Sequence, residues 1–158
     1  MQKNWLVTNI NKKYFLKAGN KTFPCQIGSG GLKNPTEKVE GDKTTPIGKW
    51  YLKSVYYRPD RVLRPRFKKK NILNIKQITK HCGWCDDIKS NYYNKYVKIN
   101  NLKIQTINYE KLWREDGAYD IIIIISKSQS QFNIIAIIFN NNSNKFIEQS
   151  QTWFNAFW

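Results

Sequence analysis

Five consecutive isoleucines at positions 121–125 limit the fold of this chain more than any other feature. An unbroken apolar run of this length is typical of a strand buried on both faces, so it predicts the central strand of a packed sheet. Residues 50–57 are rich in aromatic side chains and predict a second central strand with one face in the core. Short apolar segments between Asn-rich turns near the amino terminus predict hairpins. The sequence therefore predicts a mostly β fold.

The length and composition of the chain set limits on its organisation and partners. With 158 residues it can bury a sizeable core, and we predict a single domain over residues 1–158. Lys and Arg number 27 against 11 Asp and Glu, a net charge of +16, which favours anionic partners such as nucleic acid, acidic lipid or an acidic wall polymer. No segment approaches the roughly 20 apolar residues of a membrane span, and no signal peptide is visible.

A turn-rich stretch precedes the first long predicted strand. Gly41 and Asp42 form a turn pair, and Pro46 fixes its own φ and pushes Thr45 into an extended conformation. Gly48 permits a close approach of the backbone to a neighbour. This chemistry predicts a rigidly held loop, but turn residues by themselves indicate no reaction.

Further motifs accompany this loop at characteristic spacings. They are Gly28-Ser29-Gly30-Gly31-Leu32, Glu40-Gly41-Asp42, Thr45-Pro46-Ile47-Gly48, Arg58-Pro59-Asp60-Arg61, Gly83-Trp84-Cys85-Asp86-Asp87, Tyr93-Asn94, Leu112-Trp113-Arg114-Glu115-Asp116 and Tyr119-Asp120. In order and spacing, residues 26–125 resemble the L,D-transpeptidase catalytic-domain family. The resemblance implies a mostly β domain of two packed mixed sheets, a β-sandwich with one or two short helices. It also implies cross-linking or remodelling of bacterial peptidoglycan through a cysteine acyl-enzyme, and we expect no cofactor and no metal.

The same resemblance implies a set of residues that bind substrate or form its scaffold. They are Glu40, Gly41, Asp42, Thr45, Pro46, Gly48, Arg58, Trp84, Tyr93 and Arg114. The implied partners are the peptide stems of peptidoglycan. The implied location is the periplasm or cell wall, whereas the lack of a visible signal peptide leaves a cytoplasmic location open.

The residues that carry chemistry in the family are not found in this chain. The aliphatic run at 135–139 matches the segment before the family's histidine base, but Asn140 stands in the histidine place, and no cysteine follows Cys85. An amide takes up no proton near neutral pH, so Asn140 cannot act as a general base. We therefore predict that the carboxy-terminal catalytic segment, about residues 126–158, is degenerate and that the chain is inactive. A cationic binding module for peptidoglycan is the alternative.

The only histidine lies next to two closely spaced cysteines, which raises two chemical hypotheses. Cys82 and Cys85 have zinc-like spacing, and Cys25 and His81 would complete four ligands. Against this, His81 and Cys82 are adjacent and would point to opposite sides of an extended backbone. A redox pair at Cys82 and Cys85 lacks the strand–helix–strand context of such motifs.

A structural interpretation of this segment is favoured. In it, Trp84 lies buried beneath a loop, and Asp86 and Asp87 cap a turn. A further hypothesis rescues catalysis with His81 and a thiolate of Cys82 or Cys85, and would need oxyanion donors in the same loop.

Two more predictions concern local structure and a second class of function. Residues 109–113 predict a short helix capped by Asn108. The basic block at 58–70 predicts, as the runner-up function, nucleic-acid binding. Its stacking candidates would be three neighbouring aromatic residues, Trp50, Tyr56 and Tyr57.

Overall fold

A computed structural model describes residues 5–66, 74–101, 104, 106–116 and 118–127, together with the backbone of 134–139. These residues form twelve strands and no helix, which confirms the mostly β prediction. The strands are β1 (Trp5–Ile10), β2 (Lys13–Ala18), β3 (Lys21–Cys25), β4 (Leu32–Lys33), β5 (Thr45–Pro46), β6 (Tyr51–Tyr57), β7 (Asn74–Gln77), β8 (Cys82–Cys85), β9 (Tyr96–Lys98), β10 (Tyr109–Lys111), β11 (Ile121–Ser126) and β12 (Ile134–Phe139).

The described residues divide into two compact units, one up to residue 48 and one from residue 49 onward. Within the described residues the strands pair into four small sheets. Packing of two sheets as a sandwich stays a prediction, and so does the single domain. None of the described residues belongs to a helix long and apolar enough to cross a membrane.

The first unit contains the predicted amino-terminal hairpins. Strands β1, β2 and β3 form an antiparallel sheet in that order. Asn11 and Lys12 adopt positive φ in the two-residue turn between β1 and β2, and Gly19 does so in the next turn. Positive φ at both central residues matches the twist of hairpin strands, which explains the tight connection. The short strands β4 and β5 pair in parallel.

The second unit is built around the isoleucine strand. The order of its larger sheet is β12-β11-β6-β7, so β11 lies between two antiparallel neighbours, and β7 joins β6 in parallel. Four side chains from Ile122 to Ile125 are buried, and Ile123 and Ile125 pack with Val55 of β6. The predictions of a buried central strand at 121–125 and of a second central strand at 50–57 are confirmed, and the second strand begins at Tyr51.

The smaller sheet of this unit has the order β10-β8-β9 and corrects one prediction. Residues 109–113 do not form a helix, because Tyr109–Lys111 is the strand β10, paired antiparallel with β8. A segment this short cannot offset the cost of helix nucleation. Pairing with the fully buried strand β8 instead provides hydrogen-bond partners for its backbone amides and carbonyls. Gly83 lets the strands pack closely, since a Cβ at this position would lie 2.6 Å from a methyl group of Ile99.

Candidate functional site

Two glycine-containing loops of the first unit are joined by main-chain hydrogen bonds. We call residues 28–33 and 41–48 together the loop assembly. The Gly30 amide donates to the carbonyl of Lys43 at 2.8 Å, and the Thr45 amide donates to the carbonyl of Gly31 at 2.8 Å. The Thr45 hydroxyl accepts a bond from the Gly28 amide at 2.8 Å. The two motifs, which are separated in sequence, thus form one rigid surface feature.

Asp42 is the centre of the loop assembly. Its carboxylate accepts hydrogen bonds from the amides of Val39 and Thr44 at 3.0 and 2.9 Å and from the Thr44 hydroxyl at 2.8 Å. Lys38 and Lys33 add ion pairs at 2.6 and 3.4 Å. Burial acts to raise the pKa of Asp42, but the bonds from Lys38, Thr44 and Val39 together hold it well below its usual value. The carboxylate is therefore a structural anion that organises the loop.

The remaining predicted residues of this loop have clear backbone roles. Gly41 and Gly48 both adopt positive φ, 78° and 135°, which disfavours other residues at these positions. Pro46 is buried in β5, and Glu40 is exposed. The sequence prediction of a rigidly held loop is confirmed by these contacts.

In the second unit, Arg58 is buried, with 1% of its surface exposed, and all its contacts are internal. Its Nε and Nη2 donate to Asp60 at 2.9 and 2.8 Å, and its Nη1 donates to the carbonyl of Arg114 at 2.6 Å. The guanidinium lies 3.8 Å from the ring centroid of Trp113. Hydrogen bonding to Asp60 raises the pKa of Arg58. Arg58 is thus a scaffold residue.

Two further arginines extend this arrangement. Arg61 lies 3.4 Å from the carboxylate of Asp120 and donates to the carbonyl of Glu115 at 3.0 Å. Arg114 pairs with Asp116 through both carboxylate oxygens and with Glu110 at 3.1 Å. The name arginine cluster is used below for three arginines and five acids, namely Arg58, Arg61, Arg114, Asp60, Glu110, Glu115, Asp116 and Asp120.

Glu110 is a member of this cluster that sequence reasoning missed. Its Oε1 accepts bonds from the Tyr119 hydroxyl at 2.5 Å and from Arg114 at 3.1 Å. Burial raises the pKa of Glu110, and the bonds from Tyr119 and Arg114 only partly offset this. The sequence predicts a helix at this position, and only the pairing of β10 with β8 reveals the role of Glu110.

A second carboxyl group lies on the same face of this sheet. Glu110 is directly opposite Trp84 in the register, which makes Asp86 its diagonal neighbour. Burial raises the pKa of Asp86 as well. Among the described residues, Glu110 Oε2 and Asp86 Oδ1 are buried side-chain oxygens with no hydrogen-bond partner.

The structural interpretation of residues 82–87 is confirmed for Trp84 and corrected for one aspartate. Trp84 is 3% exposed, and its indole donates to the Asn94 side chain at 3.1 Å. Asp87 caps a turn by accepting from the Lys89 amide at 3.0 Å. Asp86 does not cap this turn, because its backbone amide bonds to Asn108 across the sheet and its side chain turns inward. Next to Asn94, Tyr93 is half-buried in the following turn.

The cysteines are not arranged for either chemical hypothesis. Cys82 and Cys85 are free and buried, and they face opposite sides of β8 because an odd number of positions separates them. Cys82 Sγ contacts the Thr79 amide at 3.1 Å and the Tyr96 hydroxyl at 3.2 Å, whereas His81 is exposed. Cys85 packs among aliphatic side chains. Within the part of the chain that the structure describes, no three His, Cys, Asp or Glu side chains are grouped to hold a metal ion.

Two sequence predictions depend on aromatic or carboxy-terminal residues. Tyr56 and Tyr57 are 6% and 5% exposed, so the prediction that they stack on nucleic-acid bases is wrong. Tyr56 instead stacks on Tyr96, with ring centroids 5.3 Å apart. Asn140 lies outside the described residues, as do residues 67–70 of the basic block. Comparisons with protein-family models, with curated proteins and with solved structures find no match to this chain.

Proposed function

We propose that this chain is an L,D-transpeptidase-like protein of peptidoglycan remodelling that binds the peptide stem without itself performing cysteine acyl transfer. One observation carries the proposal. The motifs that resemble this family are separated in sequence, yet within each unit they bond to one another. Residues 28–33 bond to 41–48, and residues 58–61 bond to 114–120. Motif segments that build one loop assembly in the first unit and one arginine cluster in the second are expected to meet in this way.

The loop assembly is the part that we propose to contact the stem. Its shape is fixed by the hydrogen bonds and ion pairs of Asp42, so little conformational entropy is lost when a ligand binds. Lys43 is exposed in the left-handed region at φ 55° and places an ammonium group on the surface of the assembly. An ammonium at this position suits a carboxylate of the peptide stem.

Acyl transfer by this family's route requires a thiolate beside a base, with donors for the developing oxyanion. All three cysteines of the chain are buried, and burial raises the pKa of the Cys25 thiol to about 11. A buried thiol that keeps its proton is a poor nucleophile. Together with Asn140 in the place of the base, this is why we propose binding without catalysis.

Mass spectrometry tests the absence of chemistry. The purified protein is incubated with a tetrapeptide-stem muropeptide or with a thiol-reactive carbapenem, beside an active L,D-transpeptidase as a positive control. We expect no covalent adduct and no cross-linked product. A stoichiometric adduct on Cys82 or Cys85 together with turnover would contradict the proposal and favour the rescue by His81.

Co-sedimentation with purified peptidoglycan tests the binding. We expect Asp42→Asn and Lys43→Gln to weaken it, the first by loosening the loop and the second by removing the surface charge. Asp87→Asn is the matched control, because it removes an equal charge from a turn cap in the other unit. A single-stranded oligonucleotide, compared across a salt series, tests the runner-up function. Tight oligonucleotide binding with a steep salt slope and none to the wall polymer would favour nucleic acid.

A further inference from the structure

The sheet β1-β2-β3 has one face that contains no buried residue. Directly opposite residues share a face in an antiparallel pair, so the register defines the members of that face. We call it the outer face, and its residues are Leu6, Thr8, Ile10, Lys13, Phe15, Lys17, Thr22 and Pro24. The opposite face contains Leu16 and Cys25, which are 4% and 6% exposed. That opposite face also exposes Trp5, Val7 and Phe23, so the sheet packs through part of one face, and the outer face contains only exposed and half-buried residues.

The outer face combines aliphatic side chains with lysines in a regular pattern. Leu6 and Ile10 are 57% and 49% exposed. Each is directly opposite an exposed lysine on β2, since Leu6 pairs with Lys17 and Ile10 with Lys13. Residues 5–25 contain four lysines and neither Asp nor Glu. The sheet is thus a surface of one charge sign that also exposes apolar groups.

The pairing of exposed aliphatic side chains with lysines favours a lipid surface over nucleic acid as the anionic partner of the outer face. A nucleic acid would gain from lysines and from aromatic rings on which its bases stack, but Phe15 of the outer face is half-buried, and exposed aliphatic side chains offer neither stacking nor hydrogen bonds. At a lipid surface, aliphatic side chains gain by entering the boundary between headgroups and acyl chains, while lysines gain by lying near anionic headgroups. A lipid surface therefore interacts favourably with both the aliphatic and the lysine side chain of each cross-strand pair, whereas a nucleic acid interacts only with the lysine.

We propose that the outer face docks on an anionic lipid bilayer. Leu6 and Ile10 enter the headgroup–acyl boundary, and Lys13 and Lys17 lie against lipid phosphates. The contact is interfacial and reversible, because two aliphatic side chains and a few lysines provide far less than a membrane-spanning segment. It involves neither the loop assembly nor the arginine cluster, so its test is independent of peptidoglycan binding.

Vesicle flotation tests the proposal with the full chain. The vesicles contain phosphatidylcholine alone or phosphatidylcholine mixed with phosphatidylglycerol. We expect binding only to the anionic vesicles, with a loss of about fivefold for each lysine removed in Lys13→Gln and Lys17→Gln. The double variant Leu6→Ser/Ile10→Ser is expected to lose about tenfold. Added salt should weaken the binding of the parent chain.

Matched controls separate the outer face from general charge and hydrophobicity. Leu63→Ser/Ile88→Ser removes two side chains that are more exposed, at 94% and 64%, and Lys89→Gln/Lys98→Gln removes two exposed lysines of the other unit. Both double variants should bind like the parent. The proposal is overturned if the parent does not float with anionic vesicles, if the controls lose as much as the outer-face variants, or if Leu6→Ser/Ile10→Ser changes nothing. An oligonucleotide that binds through the same lysines with no dependence on Leu6 and Ile10 would also overturn it.

Discussion

Replacing Arg58 by methionine tests whether internal contacts of the buried guanidinium hold the second unit together. Methionine keeps most of the length of the side chain and removes its charge and its donors. The replacement leaves the carbonyl of Arg114, now bonded at 2.6 Å, without this donor. It also removes the contact with the Trp113 ring at 3.8 Å. Asp60 is left as an exposed carboxylate that water can solvate.

The size of the effect follows from these contacts. A part-buried carbonyl that loses its donor costs about 1–2 kcal/mol. A desolvated cation–π contact contributes about 2 kcal/mol. The net loss of stability is smaller than this sum, because the parent must desolvate the charge of Arg58 on folding and the methionine variant has no such cost. We expect Arg58→Met to lower the free energy of unfolding by about 3 kcal/mol. Asp60→Asn should lower it by less, because the asparagine oxygen still accepts one bond from the buried guanidinium and the Asp60 side of the pair is open to water.

Urea unfolding followed by tryptophan fluorescence measures both variants. With a slope of about 2 kcal/mol per molar urea, Arg58→Met should lower the midpoint by about 1.5 M. Arg58→Lys keeps the charge but loses the planar contact with Trp113, so its midpoint should lie between those of the parent and of Arg58→Met. If Asp60→Asn shifts the midpoint as far as Arg58→Met does, the ion pair with Asp60 is the main contribution, and the reasoning from the Arg114 carbonyl and the Trp113 ring is refuted.

Three further predictions address a carboxyl group, two glycines and the thiols. Burial raises the pKa of Glu110 above its usual 4.5, so its contribution to stability is complete below about pH 4.5 and is lost as pH rises through the raised pKa. Urea midpoints should therefore increasingly favour Glu110→Gln over the parent as pH rises above about 4.5, and the opposite trend would contradict this. Gly30→Ala should lower the free energy of unfolding by about 2–3 kcal/mol, since its Cβ would lie 2.6 Å from the Asp42 carbonyl oxygen. Gly41→Ala should lower it by about 1–2 kcal/mol because of its positive φ alone. Thermal melts that show the opposite order of the two variants would refute the close approach at Gly30. A colorimetric thiol reagent should react slowly with the native chain and fully after denaturation, and a fast native reaction would contradict the burial of Cys25, Cys82 and Cys85.

Much of the fold could be predicted from hydrophobic pattern alone. The run at 121–125 has no polar position, and only a strand covered on both faces accommodates it, as β11 shows. The prediction of a helix at 109–113 is wrong because the local pattern of this segment fits one helical turn as well as a short strand. Pairing with β8 determines its structure. The residues of β8 are about 25 positions away in sequence, so a local sequence pattern does not reveal this contact.

The site was predictable where its chemistry is local and not where it depends on packing. The turn at Gly41 and Asp42 is held by hydrogen bonds between residues that are near one another in sequence, so the sequence predicts it correctly. Asp86 and Asp87 are adjacent and chemically alike, yet one is drawn into the sheet and the other caps a turn. The direction of an extended backbone separates them, and this becomes known only when β8 is placed between its partners.

The distribution of charge shows which part of this chain can meet an anionic ligand. The arginine cluster contains three of the 27 basic residues and five of the 11 acids, so it is not a cationic surface. Its guanidinium groups are already engaged with carboxylates and carbonyls of the same chain. A stem carboxylate brought to this cluster would meet more acids than free donors. The excess of positive charge lies in the rest of the chain, where Lys43 of the loop assembly and the lysines of the outer face are exposed. Exposed lysine side chains are therefore the groups that can bind anionic ligands, while the ion pairs within the arginine cluster keep its strands and loops in place.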